Sequence, residues 1–358
     1  MPSKKSASKP KSTPECVNAA VIGVGIGGSH LSGYRKSPHA NILAVCDIDE
    51  KRGKARAAEF GAAHVFTDYR EMLKLKELDA VSVCLPNYLH AAVTIDCLRA
   101  GKHVLCEKPL AMSAREGERM VQAAREAKKL LMLAVNNRYR GDTGVLKQYI
   151  DGGELGRIYF AKCGWIRRSG IPRGWFGVKA KSGGGPLIDL GVHMIDLAWY
   201  LMGKPKPVRA SGVTYSEIGS KGLGMGGWGV GHGAGKFDVE DLAAGLIRFA
   251  DGQAIQVEVS WATHVERDRS FLDLYGTLGG ATLEPQFKIF TDKHGSHVDL
   301  TPASPNVSGH EMEVVHFVEC ILGKAQPISP GEDGLMIQRM LDAIYRSAAT
   351  GKEVAIDA

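Results

Sequence analysis

The chain lacks the features of a membrane protein and of a disulfide-stabilised secreted protein. None of its apolar runs approaches the roughly 20 residues of a membrane span, so we expect no membrane segment. The seven cysteines are odd in number and include no Cys-x-x-Cys pair. We therefore expect reduced thiols, a cytoplasmic location and, because no zinc-ligand spacing is present, no metal site.

Acidic residues are absent from the first fourteen positions, where four lysines occur: Lys4, Lys5, Lys9 and Lys11. These lysines supply most of the formal net charge of +6, so the rest of the chain is nearly balanced. A broad nucleic-acid-binding surface is therefore not expected. Because the stretch also lacks an apolar run, it does not read as a secretory signal. We expect residues 1–16 to form a disordered basic leader, with a weak electrostatic tether as the alternative.

A glycine-rich loop follows the first predicted strand, residues 17–22, and precedes a segment that favours a helix. Its Gly-x-Gly-x-x-Gly pattern in that position is typical of a dinucleotide-binding loop. Gly23 allows the tight turn, Gly25 lets the backbone approach a pyrophosphate, and Gly28 lets the helix pack close to the sheet. We expect cofactor contacts from five loop residues: Gly23, Gly25, Ile26, Gly27 and Gly28.

A second predicted strand, residues 41–46, ends at Asp47, close to the spacing of about 20 residues expected for a ribose-binding carboxylate. Such a carboxylate accepts hydrogen bonds from the adenosine ribose and repels a 2′-phosphate, which predicts NAD rather than NADP. Lys51 and Arg52 lie nearby in the sequence, so NADP stays the less favoured alternative cofactor. The alternative for Asp47 is a turn residue at a strand end.

Further apolar runs at 81–85, 104–106 and 131–135 alternate with helical segments, which predicts a doubly wound parallel sheet of the α/β class. Ligands bind at the carboxyl ends of the strands in such sheets. We therefore expect further cofactor contacts after two of these strands, from Leu85, Pro86, Asn87, His90, Glu107 and Lys108. With 358 residues the chain is too long for one ordinary core, so a second domain is expected.

Two short motifs carry residues suited to proton transfer. Glu107-Lys108-Pro109 puts a lysine at the end of a predicted strand. Asp189 and His193 are four residues apart, which places them on one face if the segment is helical. An ammonium, an imidazole and an orienting carboxylate suit the oxidation of an alcohol or the reduction of a ketone. His193 taken alone would more often be structural, and Asp196 is a candidate support for the same helix.

The sequence resembles the Gfo/Idh/MocA family, named after glucose–fructose oxidoreductase and inositol dehydrogenase. The resemblance rests on residues 100–110 (AGKHVLCEKPL) and 183–196 (GGGPLIDLGVHMID), with weaker similarity near Asn137-Arg138-Tyr139. It implies a Rossmann domain over residues 17–136 and an α+β domain over residues 137–358. The second domain would have a large open, mostly antiparallel sheet, whose outer face forms a homodimer or homotetramer contact. The last helices would pack back on the first domain.

The same resemblance implies a catalytic set at Lys108, Asp189 and His193, acting on sugars, sugar derivatives or cyclic polyols. We expect His193 to be the general base, Asp189 to orient its imidazole, and Lys108 to hydrogen-bond the reacting oxygen. Lys108 as the base is the alternative. A cis Lys108–Pro109 peptide is a further hypothesis, because the strand end must turn a side chain into a cleft.

Substrate contacts are less well defined by the sequence. Aromatic faces and cationic groups suit sugar rings and their hydroxyls, which points to Arg138, Tyr139, Trp165, Arg167, Arg168, Arg173 and Trp175. Packed tryptophans and solvated arginines are the alternative for each. Nine of the seventeen residues in 219–235 are glycine, which predicts irregular structure, either a mobile surface loop or a flap over the cleft.

The leading interpretation is an NAD-dependent dehydrogenase that oxidises a secondary alcohol of a sugar or cyclitol. One alternative is a glycosidase that retains NAD, oxidises a ring carbon transiently and eliminates the glycoside. Another is a non-catalytic sensor that binds a dinucleotide and a partner protein. NADH that accumulates with substrate would favour the dehydrogenase over the glycosidase.

Overall fold

The computed structural model describes residues 15–229 and 236–357. Apart from Glu15 and Cys16, the expected basic leader lies outside these ranges. Residues 230–235 of the glycine-rich segment also lie outside them. Within the described ranges, no helix combines the length and the apolar character that crossing a membrane requires.

The first sheet contains six parallel strands. They are β1 (Val17–Ile22), β2 (Ala40–Cys46), β3 (His64–Phe66), β4 (Ala80–Val83), β5 (His103–Glu107) and β6 (Leu131–Ala134). Their order is β3-β2-β1-β4-β5-β6, which is the Rossmann order with its reversal between β1 and β4. The predicted doubly wound parallel sheet is confirmed.

Helices connect these strands and cover both faces of the sheet. They are α1 (Gly27–Lys36), α2 (Glu50–Phe60), α3 (Tyr69–Met72), α4 (Asn87–Arg99) and α5 (Ala114–Ala127). Side-chain caps define where three of them begin: Asp49 accepts from a backbone N–H of α2, and Asp68 and Ser113 do the same for α3 and α5. Because helices cover the sheet on both sides, its strands are continuous apolar runs, which is why the sequence showed them clearly.

The second half of the chain combines short helices with long strands. Three 3₁₀ turns (Asn136–Tyr139, Gly174–Gly177, Gly219–Lys221) and a π-helical turn (Leu187–Gly191) accompany its helices. The helices are α6 (Gly141–Asp151), α7 (Lys179–Ser182), α8 (Val192–Leu201), α9 (Gly309–Ile321) and α10 (Gly331–Thr350). The strands are β7 (Ile158–Ile166), β8 (Ile171–Arg173), β9 (Pro207–Tyr215), β10 (Met225–Gly229), β11 (Leu242–Phe249), β12 (Ala254–Ser260), β13 (Arg269–Gly276), β14 (Gly279–Glu284), β15 (Lys288–Lys293), β16 (Ser296–Leu300) and β17 (Val354–Ala355).

Nine of these strands form the second sheet, in the order β16-β15-β14-β13-β7-β12-β11-β9-β17. Only β7 and β12 pair in parallel, so the expected large, mostly antiparallel sheet is confirmed. One face packs on α10, where a Cβ on Gly212 would lie 2.6 Å from Ile344 Cγ2. The other face leaves large side chains exposed, including Val213 and Tyr215 of β9.

The last two helices contact the first sheet and its helices. α9 packs so closely on α1 that a Cβ on Gly33 would lie 2.6 Å from Val314 Cβ. Ahead of α10, the carbonyl of Ser329 accepts a 2.9 Å hydrogen bond from the Leu133 N–H of β6. These contacts bring the beginning of α9 to the carboxyl edge of the parallel sheet, where a Cβ on Gly309 would lie 2.3 Å from the Asn136 carbonyl oxygen.

Candidate active site

The glycine loop has the shape that a dinucleotide requires. Gly23 has a φ of +84°, and a Cβ there would lie 2.2 Å from the Cys84 carbonyl oxygen, so the turn needs glycine. A Cβ on Gly25 would meet nothing within 4 Å, which leaves its backbone open to a pyrophosphate. Gly27, rather than Gly28, lies against the sheet, with Val21 Cγ1 2.6 Å from its ideal Cβ. The expected packing role of Gly28 is therefore wrong, because Gly28 faces the Arg56 side chain.

Asp47 is buried at the end of β2 and tied to the glycine loop. Its carboxylate accepts from the backbone N–H groups of Val24 and Asp49, each at 2.9 Å. Arg52 donates to both oxygens, at 2.9 Å from Nε and 2.6 Å from Nη2. Burial alone would raise the pKa of Asp47, but Arg52 and the backbone donors hold it below its usual value. The group that would meet the adenosine ribose is thus an ionised carboxylate with a guanidinium beside it.

Two of the expected strand-end contacts have their polar atoms engaged within the protein. His90 is fully buried, and both ring nitrogens lie 2.7 Å from carbonyl oxygens, those of Leu85 and Pro109. No nitrogen is left for a cofactor, so the prediction for His90 is wrong, and the ring instead joins the loops after β4 and β5. Asn87 donates its side-chain amide to the Ser182 carbonyl at 2.7 Å, which ties α4 to α7. Leu85 lies beside Gly23, with Cδ2 3.1 Å from the ideal Cβ position.

Glu107 fixes the backbone of the candidate catalytic lysine. One carboxylate oxygen accepts from the Lys108 N–H at 3.1 Å, and the other lies 3.2 Å from His30 Nε2. Burial would raise the pKa of Glu107, but the neighbouring His30 and Lys108 lower it to about 2. The Lys108–Pro109 peptide is cis, as hypothesised from the sequence.

Lys108 and Asp189 meet although 81 residues separate them. The ammonium lies 2.9 Å from Asp189 Oδ1 and 3.2 Å from the Asp189 carbonyl oxygen. The other carboxylate oxygen accepts a 2.9 Å hydrogen bond from Trp261 Nε1. Burial would raise the pKa of Asp189, but Lys108 and Trp261 hold it below its usual value. The Asp189 carboxylate is therefore ionised and held on both sides.

His193 lies in the first turn of α8, next to this pair, but does not bond to Asp189. Burial and the charge of Lys108 lower the pKa of His193 to about 3, so its imidazole is neutral. In the described part of the chain, Nδ1 of this ring is buried without a hydrogen bond. The expectation that Asp189 orients His193 is therefore wrong. In a regular helix Asp189 and His193, four residues apart, would lie on one face. The π-helical turn over 187–191 changes the angle between the two side chains, and the Asp189 carboxylate faces Lys108 instead.

The triple glycine before this turn is required by Glu240 and Tyr345. A Cβ on Gly184 would lie 2.1 Å from Tyr345 Oη, and one on Gly185 would lie 2.0 Å from the Glu240 carbonyl oxygen. The Glu240 carboxylate accepts from the N–H groups of Gly185 and Leu187, at 2.9 and 3.1 Å, and from the Tyr345 hydroxyl. These bonds anchor the turn that carries Asp189. Sequence reasoning missed Glu240 as well as Trp261, whose only signal was its place after β12.

Arg138 and Tyr139 do not face a cleft, so their prediction as substrate contacts is wrong. Arg138 is fully buried and pairs with Asp196 and Asp333, each at 2.6 Å. The Tyr139 hydroxyl lies 2.7 Å from Ser329 Oγ. Two carboxylates and carbonyl groups use the guanidinium completely, so these residues join α8 to the segment before α10. Asp196 supports its helix as expected.

Aromatic side chains surround the Lys108–Asp189 pair. The Trp165 ring lies 6.4 Å from the His193 ring, and the Arg167 guanidinium lies 5.0 Å from the Trp165 ring. Trp175 stacks on Phe176 at 3.9 Å, and Phe176 meets the edge of Trp261 at 6.5 Å. Sequence reasoning missed Phe176.

Arg168 is exposed and bonded to the loop after β12. Its guanidinium donates to the Glu266 carbonyl at 3.0 Å, and its backbone N–H donates to Asp268. Its role as a substrate contact stays a prediction.

Part of the glycine-rich segment is regular. Gly219–Lys221 form a 3₁₀ turn, and β10 pairs with β8, so the expectation of irregular structure is wrong for this part. A Cβ on Gly224 would lie 2.6 Å from Ala262 Cβ, which places the turn beside Trp261. The flap expected over 219–235 extends into residues 230–235, which lie outside the described residues.

Comparisons with known proteins agree with this architecture. Residues 17–135 match a family model described as the GFO/IDH/MocA oxidoreductase family, NAD-binding Rossmann fold. Residues 147–356 match the model of that family's C-terminal alpha/beta domain. These two matches confirm the expected Rossmann and C-terminal architecture over most of the chain.

Two curated relatives and one solved structure extend the comparison. The D-glucoside 3-dehydrogenase of Escherichia coli (strain K12) is 35% identical over 355 residues, covering 96% of this chain and 99% of the relative. The myo-inositol 2-dehydrogenase of Thermotoga maritima is 29% identical, covering 94% and 98%. A levoglucosan dehydrogenase in complex with NADH has the same fold, with a TM-score of 0.84 at 24% identity over 95% of this chain and 99% of that one.

None of these three relatives is named as a glycosidase or a sensor, so the two alternative functions gain no support. The predicted family and the predicted NAD-binding oxidoreductase are confirmed. The chain belongs to the Gfo/Idh/MocA family of oxidoreductases.

Proposed function

We propose that this protein oxidises a ring secondary hydroxyl of a pyranoside with NAD, and that the C3 hydroxyl of a D-glucoside is the position to test first. The observation that carries the proposal is the Lys108–Asp189 pair, with its neutral imidazole neighbour and its aromatic surroundings. The similarity to a D-glucoside 3-dehydrogenase over nearly the whole of both chains supports this choice of substrate.

Each residue has a separate task in the proposed reaction. A nicotinamide bound at the carboxyl edge of the first sheet would supply the hydride acceptor. The Lys108 ammonium donates a hydrogen bond to the reacting oxygen, which places positive charge where alkoxide character develops. The neutral His193 imidazole accepts the hydroxyl proton, and the Trp165 face packs against the sugar ring. Asp189 keeps the ammonium in place through its 2.9 Å contact.

The residues around β1 and β2 fit a dinucleotide, and we propose NAD as the preferred form. Gly25 leaves room for the pyrophosphate, and the ionised Asp47 suits ribose hydroxyls better than a 2′-phosphate. The Asp47–Arg52 pair weakens this preference, because the guanidinium already occupies the carboxylate and offers a partner to a phosphate.

The test is NADH formation, followed by nicotinamide absorbance, with methyl D-glucoside and with its 3-deoxy analogue. We expect NADH with the glucoside alone, and a deuterium label at C3 when the product is reduced with borodeuteride. Lys108→Met should reduce kcat at least about 100-fold, in line with the loss of a group that acts on the reacting atoms. Lys54→Met, at an exposed lysine of α2 that pairs with Glu50, is the matched control. Aglycone release without net NADH would instead favour the glycosidase.

We also propose a homo-oligomer, a cytoplasmic location and a domain boundary near residue 136. The exposed Val213, Tyr215, Tyr275 and Phe290 on the nine-stranded sheet support the oligomer, because monomers seldom expose so many large apolar side chains on one sheet. All seven cysteines are unpaired in the described structure, which supports a reducing compartment. Light scattering of the protein and of Tyr215→Asp would test the oligomer, since an unchanged mass contradicts that contact.

A further inference from the structure

Four buried polar side chains form a hydrogen-bonded row between α1 and the first sheet. They are His30 and Tyr34 of α1, Ser82 of β4 and Glu107 of β5. Ser82 Oγ lies 2.9 Å from the Tyr34 hydroxyl and 3.0 Å from His30 Nδ1. The other ring nitrogen, Nε2, lies 3.2 Å from Glu107 Oε1. The hydrogen bonds therefore continue from α1 to the carboxyl end of β5.

The charge of Glu107 determines the direction of the last bond in this row. Burial would raise the pKa of Glu107, but the hydrogen bond from His30 and the neighbouring charges lower it to about 2, so the carboxylate is ionised. An ionised carboxylate only accepts hydrogen bonds, so His30 Nε2 carries a proton and donates. The Ser82 hydroxyl bonds the other ring nitrogen. Both nitrogens of His30 are thus engaged, which fixes the orientation of the ring.

The row ends at the candidate catalytic lysine. Glu107 Oε2 accepts from the Lys108 N–H at 3.1 Å, while Oε1 accepts from His30. The carboxylate therefore joins His30 directly to the Lys108 backbone, with one hydrogen bond on each oxygen. Asp189 holds the other end of the same lysine, since its Oδ1 lies 2.9 Å from the ammonium.

Polar residues are a costly way to fill this space. Ser82 is the polar residue in an otherwise apolar, fully buried strand, and well-packed apolar side chains often replace buried polar networks without loss of stability. Removal of His30 alone would leave a charged, buried oxygen of Glu107 without its partner. The carboxylate would then turn towards another donor and release the Lys108 N–H. The row is therefore suited to holding Glu107 in one orientation.

We propose that His30 is a positioning residue for the proposed dehydrogenase, on whose function this inference rests. By donating to Glu107, His30 keeps the carboxylate in the orientation that fixes the Lys108 backbone. His30 lies in the first turn of α1, which begins at Gly27 of the dinucleotide loop. The helix that would meet the pyrophosphate with its N-terminus thus also holds the lysine that acts on the substrate oxygen.

The test compares His30→Asn with His30→Gln. The Asn amide ends near the position of Nδ1 and does not reach Glu107, whereas the Gln amide ends near the position of Nε2 and keeps a donor there. We expect His30→Asn to lower kcat by about tenfold to 100-fold with both KM values unchanged, because the lysine is misplaced while the binding groups remain. His30→Gln should keep kcat within about threefold of the parent value.

His103→Gln is the matched control for loss of a bonded histidine. His103 lies at the opposite end of β5 from Glu107, and its Nδ1 accepts from the Leu130 N–H at 3.1 Å. This substitution should lower the melting temperature and leave kcat unchanged. A lower melting temperature in His30→Asn would therefore not by itself explain a lower kcat.

The exchange of the Lys108 backbone N–H gives a readout that needs no activity. Labelling with ¹⁵N-lysine gives a signal for this group in the apo-protein, and Lys108→Met assigns it. The hydrogen bond to Glu107 should protect it from exchange with deuterium in the parent protein. His30→Asn should accelerate the exchange at least about tenfold, and His30→Gln should leave it within about threefold.

Two results would overturn the role of His30. One is a kcat of His30→Asn equal to that of the parent protein. The other is a Lys108 N–H that exchanges equally slowly in both proteins even though kcat falls, because the ring would then support only the fold. If no sugar yields NADH with the parent protein, the proposed function fails, and the amide exchange alone decides the role of His30.

Discussion

Trp261→Phe tests how the buried hydrogen bond to Asp189 controls Lys108, the candidate catalytic lysine. The substitution removes the Nε1–H that lies 2.9 Å from Asp189 Oδ2 and keeps most of the ring. A hydrogen bond to a charged group contributes about 1.5–3 kcal/mol, so a loss of that order in unfolding free energy is expected. For a domain of roughly 150–250 residues this lowers the melting temperature by about 2–4 °C per kcal/mol.

The pH dependence of Trp261→Phe separates this hydrogen bond from simple packing. The pKa of Asp189 is lowered in the folded protein, so its contribution to stability is present above the unfolded pKa and disappears as pH falls through the folded value. Removing a donor raises the folded pKa. The stability deficit should therefore be full at neutral pH and shrink in acid, and the acidic limb of kcat/KM should move to higher pH.

Trp199→Phe is the matched control for this experiment. Trp199 is also buried, but its Nε1–H donates to the neutral Pro205 carbonyl at 2.8 Å. Its substitution should cost stability without a change in the acidic limb of kcat/KM. Thermal melts and steady-state kinetics between acid and neutral pH give both readouts. An acidic limb that is the same in Trp261→Phe and in the parent protein would refute the role assigned to this hydrogen bond.

Three further substitutions probe the cofactor loop and the core. Arg52→Ala should weaken NADP binding at least about tenfold and leave NAD binding within about fivefold, since the partly exposed guanidinium can meet a 2′-phosphate, whereas the buried Asp47 carboxylate keeps its two backbone N–H donors without it; equal effects in a fluorescence titration would contradict this. Gly27→Ala should impair folding and NAD binding because its Cβ would lie 2.6 Å from a sheet side chain, whereas Gly28→Ala meets only a flexible arginine and should bind NAD normally; the reverse pattern would restore the sequence-based assignment. Arg138→Met leaves two carboxylates without their buried partner and should cost about 3–5 kcal/mol, visible as a much lower melting temperature; a small change would show that the network contributes little.

The parallel sheet was predictable because its strands are buried on both faces and therefore appear as continuous apolar runs. Residues at the carboxyl end of such a strand lie at the ligand-binding edge of the sheet. Asp47 and Lys108 could therefore be placed at this edge from the sequence alone. The second sheet could be anticipated only through the family resemblance, since its central pairings, β7 with β12 and β7 with β13, and its edge pairing, β9 with β17, join strands far apart in the chain.

The roles that failed depended on partners that no local pattern shows. The sequence around Arg138 predicts an arginine that faces the cleft. In the structure its second carboxylate partner is Asp333, which lies on a helix almost 200 residues further along the chain. Asp189 and His193 have helical spacing, but the intervening π-helical turn points the carboxylate to Lys108 and Trp261. Gly27 and Gly28 are adjacent, and only the path of the helix over the sheet decides which of them needs to be glycine.

The two catalytic motifs act as one electrostatic unit with Lys108 at its centre. Glu107 fixes the backbone of Lys108, and Asp189 fixes its ammonium, so two ionised acids from different motifs hold a single cation. Burial, and after it the charge of that cation, lowers the pKa of His193 and keeps the imidazole neutral, so that it can accept a proton. Loss of Asp189 would therefore release the ammonium and also remove the carboxylate, and both of these charges act on the pKa of His193. A substitution in either motif should change the proton affinity of the other, which is why neither motif has a defined chemistry by itself.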